Sequence, residues 1–106
     1  MKAKKTRDIC IIGLGRFGHK IAEQLLEDKT NNIRIALVDK DEKHLLPFKD
    51  EVNSIYILDA AEKKALEAIN IADFDVVIIA TSDNIEIAAA LNEIGIKKII
   101  ARANSK

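Results

Sequence analysis

The chain of 106 residues has 48% hydrophobic side chains, which suits one domain that buries about two-thirds of the unfolded chain's surface in a single core. The chain has 17 basic residues (lysine and arginine) and 17 acidic residues (aspartate and glutamate). It therefore has no net positive charge to attract nucleic acid. The one cysteine, Cys10, excludes an internal disulfide, and the apolar run at residues 9–12 is too short for a signal peptide or a membrane span. We therefore expect a cytosolic domain in which Cys10 is a buried small hydrophobe.

Short β-branched runs alternate along the chain with longer helical patterns, as is typical of parallel strands joined by crossover helices. The runs ICII and VVII are apolar at consecutive positions, which strands covered by helices on both faces require. We predict an α/β fold, a Rossmann-like doubly wound parallel sheet of five strands flanked by helices. The predicted strands cover residues 8–12, 33–38, 54–58, 75–80 and 98–102.

The first two of four predicted helices follow the first two strands. The first covers residues 16–28, where Phe17, Ile21 and Leu25 recur every four positions and form one apolar stripe against the sheet. The second begins near Asp41, a plausible N-cap, and Pro47 should break it within two turns.

The third predicted helix covers residues 62–70, with Leu66 and Ile69 facing inward, and the fourth covers residues 84–94 and ends at Gly95. The fourth helix carries more apolar surface than one sheet face needs. Either a partner subunit covers the excess, or small alanines pack close to the sheet. The core stripe is Ile87, Leu91 and Ile94, and the residues that widen it are Ile85, Ala88 and Ala89.

A glycine-rich turn, GLGRFG, lies directly after the first strand and opens the first helix, where a dinucleotide-binding fingerprint is found. Gly13 permits the tight turn, Gly15 lets the backbone approach a diphosphate, and Gly18 lets the helix lie close to the strand. The helix N-terminus then offers N–H groups and partial positive charge to phosphates. The turn predicts an anion site.

Asp39 ends the second strand, about 20 residues after the last glycine, where a carboxylate can accept hydrogen bonds from both ribose hydroxyls and repel a 2′-phosphate. This favours NAD(H) or another adenine nucleotide over NADP(H). The alternative is a helix cap or surface turn, although Asp41 suits the cap better.

The ends of other strands point at the same crevice. Asp59 and Ala60 follow the third strand and could border an adenine, or Asp59 could cap the next helix. Thr81 follows the fourth strand and could approach ribose or phosphates, or serve ordinary turn chemistry. Arg16 could reach phosphate oxygens, or be a solvated surface arginine. Phe17 in the turn and Lys40 beside Asp39 complete the candidate set.

No catalytic motif such as G-x-S-x-G, a Walker lysine or HExxH occurs, and His19 and His44 are expected to be exposed helical side chains without a task. Binding without chemistry, and no catalytic or metal site, is the simpler interpretation. The alternatives are the cofactor domain of an NAD-dependent oxidoreductase and a redox-sensing repressor, which would need a basic DNA-reading helix.

Four segments of the chain carry a resemblance to a known family, and they are IIGLGRFGHKIAEQL, VDKDEK, YILDAAEKKALEAINIADFDVVIIAT and GIKKIIARANS. They resemble the regulatory nucleotide-binding domains of potassium channels and transporters, called RCK or KTN domains of TrkA-N type, which include Trk- and Ktr-like cytosolic subunits. The resemblance covers residues 8–105.

The resemblance implies a ligand-operated switch that binds NAD(H) or ADP/ATP and gates a membrane-embedded potassium channel or transporter. It implies a homodimer or larger ring, located in the cytoplasm at the inner face of the membrane through that partner. A ligand can drive such a switch only by binding one arrangement more tightly than the other. Carried onto this chain, the three glycines and Arg16 hold phosphates and Asp39 the ribose. Asp59 with Ala60 lies beside the adenine, and Thr81 lines the pocket.

The chain also departs from the family pattern. The family commonly has glycine where Leu58 precedes the DA pair, and the segment TSDNIEIAAALNEIG is shorter than usual. We expect residues 1–106 to form one RCK N-terminal domain without the sixth strand and C-terminal domain of a full subunit.

Overall fold

A computed structural model of the chain describes residues 6–29, 32–82 and 84–101. The strands are β1 (Arg7–Ile12), β2 (Ile33–Asp39), β3 (Ser54–Ile57), β4 (Val76–Ile79) and β5 (Ile99–Ala101). The α-helices are α1 (Arg16–Glu27), α2 (Glu42–Leu45), α3 (Lys63–Ala68) and α4 (Asn84–Ile94), and short 3-10 turns follow α2 (Leu46–Phe48) and α3 (Ile71–Asp73). The predicted strands and helices are confirmed, with ends that differ by one or two residues. Position 102, the predicted end of the fifth strand, lies outside the described residues.

The five strands form one sheet in the order β3-β2-β1-β4-β5, and every neighbouring pair is parallel. The chain moves outward from β1 to β3, then returns to the other side of β1 to add β4 and β5. The strand order therefore reverses between β1 and β4, which is where ligands bind in open α/β sheets. The doubly wound fold is confirmed.

Helices cover both faces of the sheet. Successive strand residues point to opposite faces and lie in two separate buried clusters, each of which includes helix residues. Along β1, Cys10 and Ile12 pack with residues of α3 and α4, whereas Ile11 packs with residues of α1 and α2. Cys10 is fully buried, as predicted, and burial raises the pKa of its thiol to about 12. The thiol therefore stays protonated and acts as a packing group.

The second helix is short because of its sequence. The Asp41 side chain accepts a hydrogen bond from the Lys43 amide, which confirms it as the N-cap of α2. Pro47 then lies in the following 3-10 turn, whose Phe48 is buried. The predicted break is confirmed. The short helix α2 packs against β2.

One packing prediction is wrong. Phe17 was expected in the stripe of α1 that faces the sheet, but it is 39% exposed, whereas Ile21 and Leu25 pack against the core. Phe17 lies in the first turn of α1, beyond the end of β1, where the sheet no longer reaches. The residues of α1 that are fully inside are Gly18 and Ala22.

The fourth helix leaves one large apolar side chain in solvent. Ile87 and Leu91 are buried and Ile94 packs against the core, as predicted, but Ile85 is 81% exposed. Ala90 also packs inward, whereas Ala89 is exposed. Within the described ranges, no helix has both the length and the apolar character needed to cross a bilayer.

Candidate functional site

The glycine turn has the geometry that its sequence predicts. Gly13 has φ of +94°, and a Cβ there would lie 2.9 Å from the Thr81 Cβ. A Cβ on Gly18 would collide with the Gly13 carbonyl oxygen and lie 3.3 Å from the Ala80 Cβ. Gly15 differs, because no atom lies within 4 Å of its Cβ position. Gly13 and Gly18 are therefore required by the fold, whereas Gly15 faces open space.

The open space lies at the N-terminus of α1. Gly15 is the N-cap of this helix, and within the described residues no side chain caps it and its first turn contains no acidic residue. The N-terminus of a helix carries partial positive charge from its N–H groups. The turn can therefore receive an anion without displacing a capping side chain.

Asp39 connects this turn to the end of β2. Its Oδ2 atom accepts a hydrogen bond from the Leu14 amide at 2.7 Å, and its Oδ1 atom accepts one from the Asp41 amide at 2.8 Å. His44 Nδ1 lies 3.1 Å from the same Oδ2 atom. The side chain of Asp39 is only 11% exposed. Asp39 thus stabilises the turn after β2, which is the alternative to ribose binding that its sequence position also predicts. Its carboxylate still faces the crevice.

The same contacts determine the charge of Asp39. Desolvation by burial favours the neutral acid, but hydrogen bonds from the Leu14 and Asp41 amides and from His44 outweigh it and lower the pKa of Asp39 below its usual value. Asp39 is therefore an anion at neutral pH, which is the form that accepts hydrogen bonds from hydroxyl groups.

A pocket of about 150 Å³ opens at the carboxyl ends of β1, β2 and β4. It brings together six of the ten predicted site residues, which are Gly13, Asp39, Lys40, Asp59, Ala60 and Thr81. Its other lining residues are Ile12, Val38, Leu58, Ala61, Glu86 and Ile87.

Four predicted site residues do not line this pocket. Gly15 and Gly18 belong to the turn beside it, while Arg16 and Phe17 are exposed on the first turn of α1. Arg16 therefore has the solvated position that was weighed against a phosphate contact. Any contact of Arg16 with a ligand would require the ligand to extend out of the pocket toward α1.

The residues after β3 have separate roles. Ala60 is buried in the core, whereas Asp59 is exposed and its Oδ1 atom accepts a hydrogen bond from the Ala61 amide at 2.9 Å. The N-cap of α3 is Glu62, so the alternative that Asp59 caps this helix is wrong. Asp59 instead closes the turn before the helix and lines the pocket.

Two residues near the site were not predicted from the sequence. His44 was expected to have no task, yet it contacts Asp39 from α2. Glu86 lies in the first turn of α4 and lines the pocket. The signal for His44 was its position three residues after the Asp41 N-cap, which returns it to the start of the helix beside the end of β2.

The pocket therefore combines three carboxylates, from Asp39, Asp59 and Glu86, with the ammonium group of Lys40. Carboxylates accept hydrogen bonds from hydroxyl and amino groups, while the phosphate-accepting feature is the neighbouring N-terminus of α1. The described part of the chain contains no group of three or more His, Cys, Asp or Glu side chains arranged to hold a metal ion. The arrangement suits a ligand that has both hydroxyl groups and a phosphate.

The TrkA-N domain family model matches residues 9–106 of the chain. A Mycoplasma genitalium protein, named uncharacterized protein MG323, is 38% identical over 105 residues, which are 96% of this chain and 45% of that protein. Ktr system potassium uptake protein C of Bacillus subtilis is 27% identical over 103 residues, which are 93% of this chain and 45% of that protein. The chain thus spans less than half the length of these relatives.

A solved structure with a similar fold is the Kef CTD of Shewanella denitrificans in its AMP-bound form. It matches with a TM-score of 0.70 at 22% identity and covers 93% of this chain and 60% of that one. Similarity at this level of identity shows the fold alone, and the fold agrees with the parallel sheet described above.

Proposed function

The chain belongs to the TrkA-N domain family, and from this premise we propose that it binds an adenine nucleotide and thereby regulates a membrane potassium channel or transporter. The relative from Bacillus subtilis is named as a component of a potassium uptake system. The observation that carries the proposal is the hydrogen bond between the Leu14 amide and Asp39 Oδ2. It joins the turn that we propose for the phosphates to the carboxylate that we propose for the ribose.

In this proposal each part of the crevice holds one part of the nucleotide. The turn at Gly13, Gly15 and Gly18 holds phosphates at the N-terminus of α1, with Arg16 and Phe17 at its outer edge. Asp39 accepts hydrogen bonds from the ribose hydroxyls. The base lies toward β3, and the residues assigned to that side and to the pocket wall are Lys40, Asp59, Ala60 and Thr81.

The ligand we propose is NAD(H) or ADP/ATP. The anionic Asp39 at the ribose position would repel a 2′-phosphate, so NADP(H) should bind more weakly. AMP is the smallest nucleotide that contains the base, ribose and phosphate common to these ligands, and it is the ligand named for the Kef CTD structure.

We further propose binding without catalysis. Within the described ranges, the polar side chains that line the pocket are those of Asp39, Lys40, Asp59, Thr81 and Glu86, and no histidine or cysteine lines it. The output of binding would be a change in assembly. The domain would act in the cytoplasm at the inner face of the membrane, as a homodimer or a ring of like domains that contacts the transporter subunit.

The test is a thermal-shift series with AMP, ADP, ATP, NAD, NADH and NADP on the chain. A ligand at a hundred times its Kd should add about 2.7 kcal/mol to the free energy of unfolding, which raises the Tm by about 10 °C or more in a domain of this size. We expect stabilisation by at least one nucleotide that lacks a 2′-phosphate. Failure of all six to stabilise the chain, or a preference for NADP, would contradict the proposal.

A further inference from the structure

We propose that His44 competes with the nucleotide's ribose for the Asp39 carboxylate, so that protonation of His44 weakens nucleotide binding. The inference rests on the proposed function, because it concerns the carboxylate that holds the ribose. It assigns His44 as a positioning residue, which acts on the ligand through Asp39.

The contact that carries the inference is built into the start of α2. The Asp41 side chain caps this helix, and the His44 amide donates to the Asp41 carbonyl at 3.0 Å, which fixes the backbone of His44 above the end of β2. From there His44 Nδ1 reaches Asp39 Oδ2 at 3.1 Å. The imidazole is 46% exposed whereas Asp39 is 11% exposed, so the histidine lies on the solvent side of the carboxylate.

A count of hydrogen-bond acceptors shows why the two compete. A carboxylate offers about four acceptor positions, two on each oxygen. The Leu14 amide and His44 use both positions on Oδ2, and the Asp41 amide uses one on Oδ1. One position is left for a ribose that presents two hydroxyls. A ribose bound through both hydroxyls must therefore displace His44.

Protonation strengthens the contact that must be broken. In a neutral ring Nδ1–H donates to Asp39, while in the imidazolium both nitrogens carry a proton, and Nε2 lies within ion-pair distance of Asp41 Oδ2, at 3.9 Å. The cation is then held between two carboxylates, and a charge-assisted hydrogen bond is about twice as strong as a neutral one. Displacement of His44 should therefore be harder at acidic pH.

The charged groups around His44 are few in the described part of the chain. α2 packs against β2, from which Asp39 faces the ring, and against the 3-10 turn Leu46–Phe48, which has no titratable side chain. At the N-cap of the helix, Asp41 is an ion-pair partner of His44, and the sequence neighbours Glu42 and Lys43 bring opposite charges. Asp39 stays ionised, because its pKa is lowered by its three hydrogen bonds in spite of burial. Histidine side chains in general change charge between about pH 5 and 8, which is why the two ends of this range are compared.

The test compares AMP binding to the wild-type chain and to His44→Leu by calorimetry at pH 5.5 and pH 8.0. The AMP phosphate also titrates in this range, so the measured quantity is the ratio of the two proteins' affinities at each pH, from which the ligand's own titration cancels. We expect His44→Leu to bind AMP about fivefold more tightly than wild type at pH 5.5 and less than twofold more tightly at pH 8.0.

Three comparisons separate competition from a structural effect. 2′-Deoxy-AMP needs only the open position on Oδ1. The ratio of the affinities of His44→Leu and wild type for this ligand should therefore stay near one at both pH values. His44→Gln keeps a neutral donor, and its affinity relative to wild type should show the same change with pH. His19→Gln removes a histidine that contacts Phe48 and Glu23 outside the pocket and should behave as wild type at both pH values.

The outcomes distinguish this inference from the proposed function. AMP binding with the same ratio at both pH values, or an equal effect on AMP and 2′-deoxy-AMP, would overturn the role of His44 and leave the nucleotide site standing. No binding of AMP to wild type would overturn the role of His44, and no binding of any of the six nucleotides in the thermal-shift series would overturn the proposed function as well. In NMR spectra, the imidazole signals of His44 should shift when AMP saturates the wild-type chain, and unchanged signals would also overturn the displacement.

Discussion

The two halves of the crevice are built differently. On the side of β1 and β2, the turn, Asp39 and the start of α2 are joined by hydrogen bonds of 2.7 to 3.1 Å, and Gly18 is packed against Gly13. On the side of β3 and α4, exposed Asp59 and Glu86 line the pocket together with Leu58. The comparison indicates that the half of the crevice proposed to hold phosphate and ribose is set by the fold, whereas the half proposed to hold the base is more open to change.

The largest effect should come from Gly18→Ala. The added methyl group collides with the Gly13 carbonyl oxygen, which is backbone and cannot move without opening the turn. We expect a loss of about 3 kcal/mol or more in the free energy of unfolding, measured by urea denaturation.

The matched control is Gly15→Ala, because no atom lies within 4 Å of that Cβ position and its φ of −71° suits any residue. Its free energy of unfolding should stay within about 0.5 kcal/mol of wild type. Its affinity for AMP should fall at least tenfold, because the methyl group occupies the space proposed for phosphate. Equal stability of the two variants would show that the turn is not packed as described.

The next largest effect should come from Asp39→Ala. The variant leaves the Leu14 and Asp41 amides without their acceptor and should lose about 2 kcal/mol of unfolding free energy. It would also lose both proposed ribose contacts, so AMP affinity should fall about 100-fold. Asp59→Ala is the control from the other half and should lose less than 1 kcal/mol and less than tenfold in affinity. Affinities are measured by calorimetry. If Asp39→Ala binds AMP as tightly as wild type does, Asp39 does not hold the ribose.

A smaller effect should appear in the pH dependence of stability. The pKa of folded Asp39 lies below its ordinary value of 3.8, so the ionised group stabilises the fold above pH 3.8 and loses this contribution as the pH falls through the lowered pKa. The difference in unfolding free energy between wild type and Asp39→Asn should shrink as the pH falls below 3.8. A difference that stays constant or grows below pH 3.8 would contradict the hydrogen bonds assigned to Asp39.

The smallest effect on stability should come from Ile85→Lys on α4. Ile85 is 81% exposed, so the free energy of unfolding should change by no more than about 0.5 kcal/mol. If α4 forms the contact in the proposed homodimer, sedimentation should show dimer for wild type and monomer for the variant. A dimer that persists in the variant would show that the contact lies elsewhere than α4. A monomeric wild type would contradict the proposed homodimer.

The fold was largely predictable from the sequence because its signals are local. β-branched runs give the strands, Pro47 gives the end of α2, and the glycine spacing gives the turn at Gly13 and Gly18. The order of strands and helices along the chain also limits the number of possible sheet topologies, because consecutive parallel strands must be joined by a crossover helix on one face of the sheet.

The site was less predictable because its contacts cross between elements. The periodicity of α1 placed Phe17 on the apolar stripe but could not show that the first turn extends beyond the sheet. His44 meets Asp39, and Glu86 enters the pocket, only after α2 and α4 are placed against the strand ends. Such pairings depend on tertiary placement, which spacing along the chain does not give.

The most direct test of the account is an NMR titration of the chain with AMP, with the amide signals assigned. Binding in the preformed half of the crevice should shift the amides of the turn, and above all those of Leu14 and Asp41, whose acceptor is the Asp39 carboxylate. We expect saturable shifts at these amides. Saturable shifts elsewhere that leave the Leu14 and Asp41 amides unchanged, or no shifts at all, would contradict it.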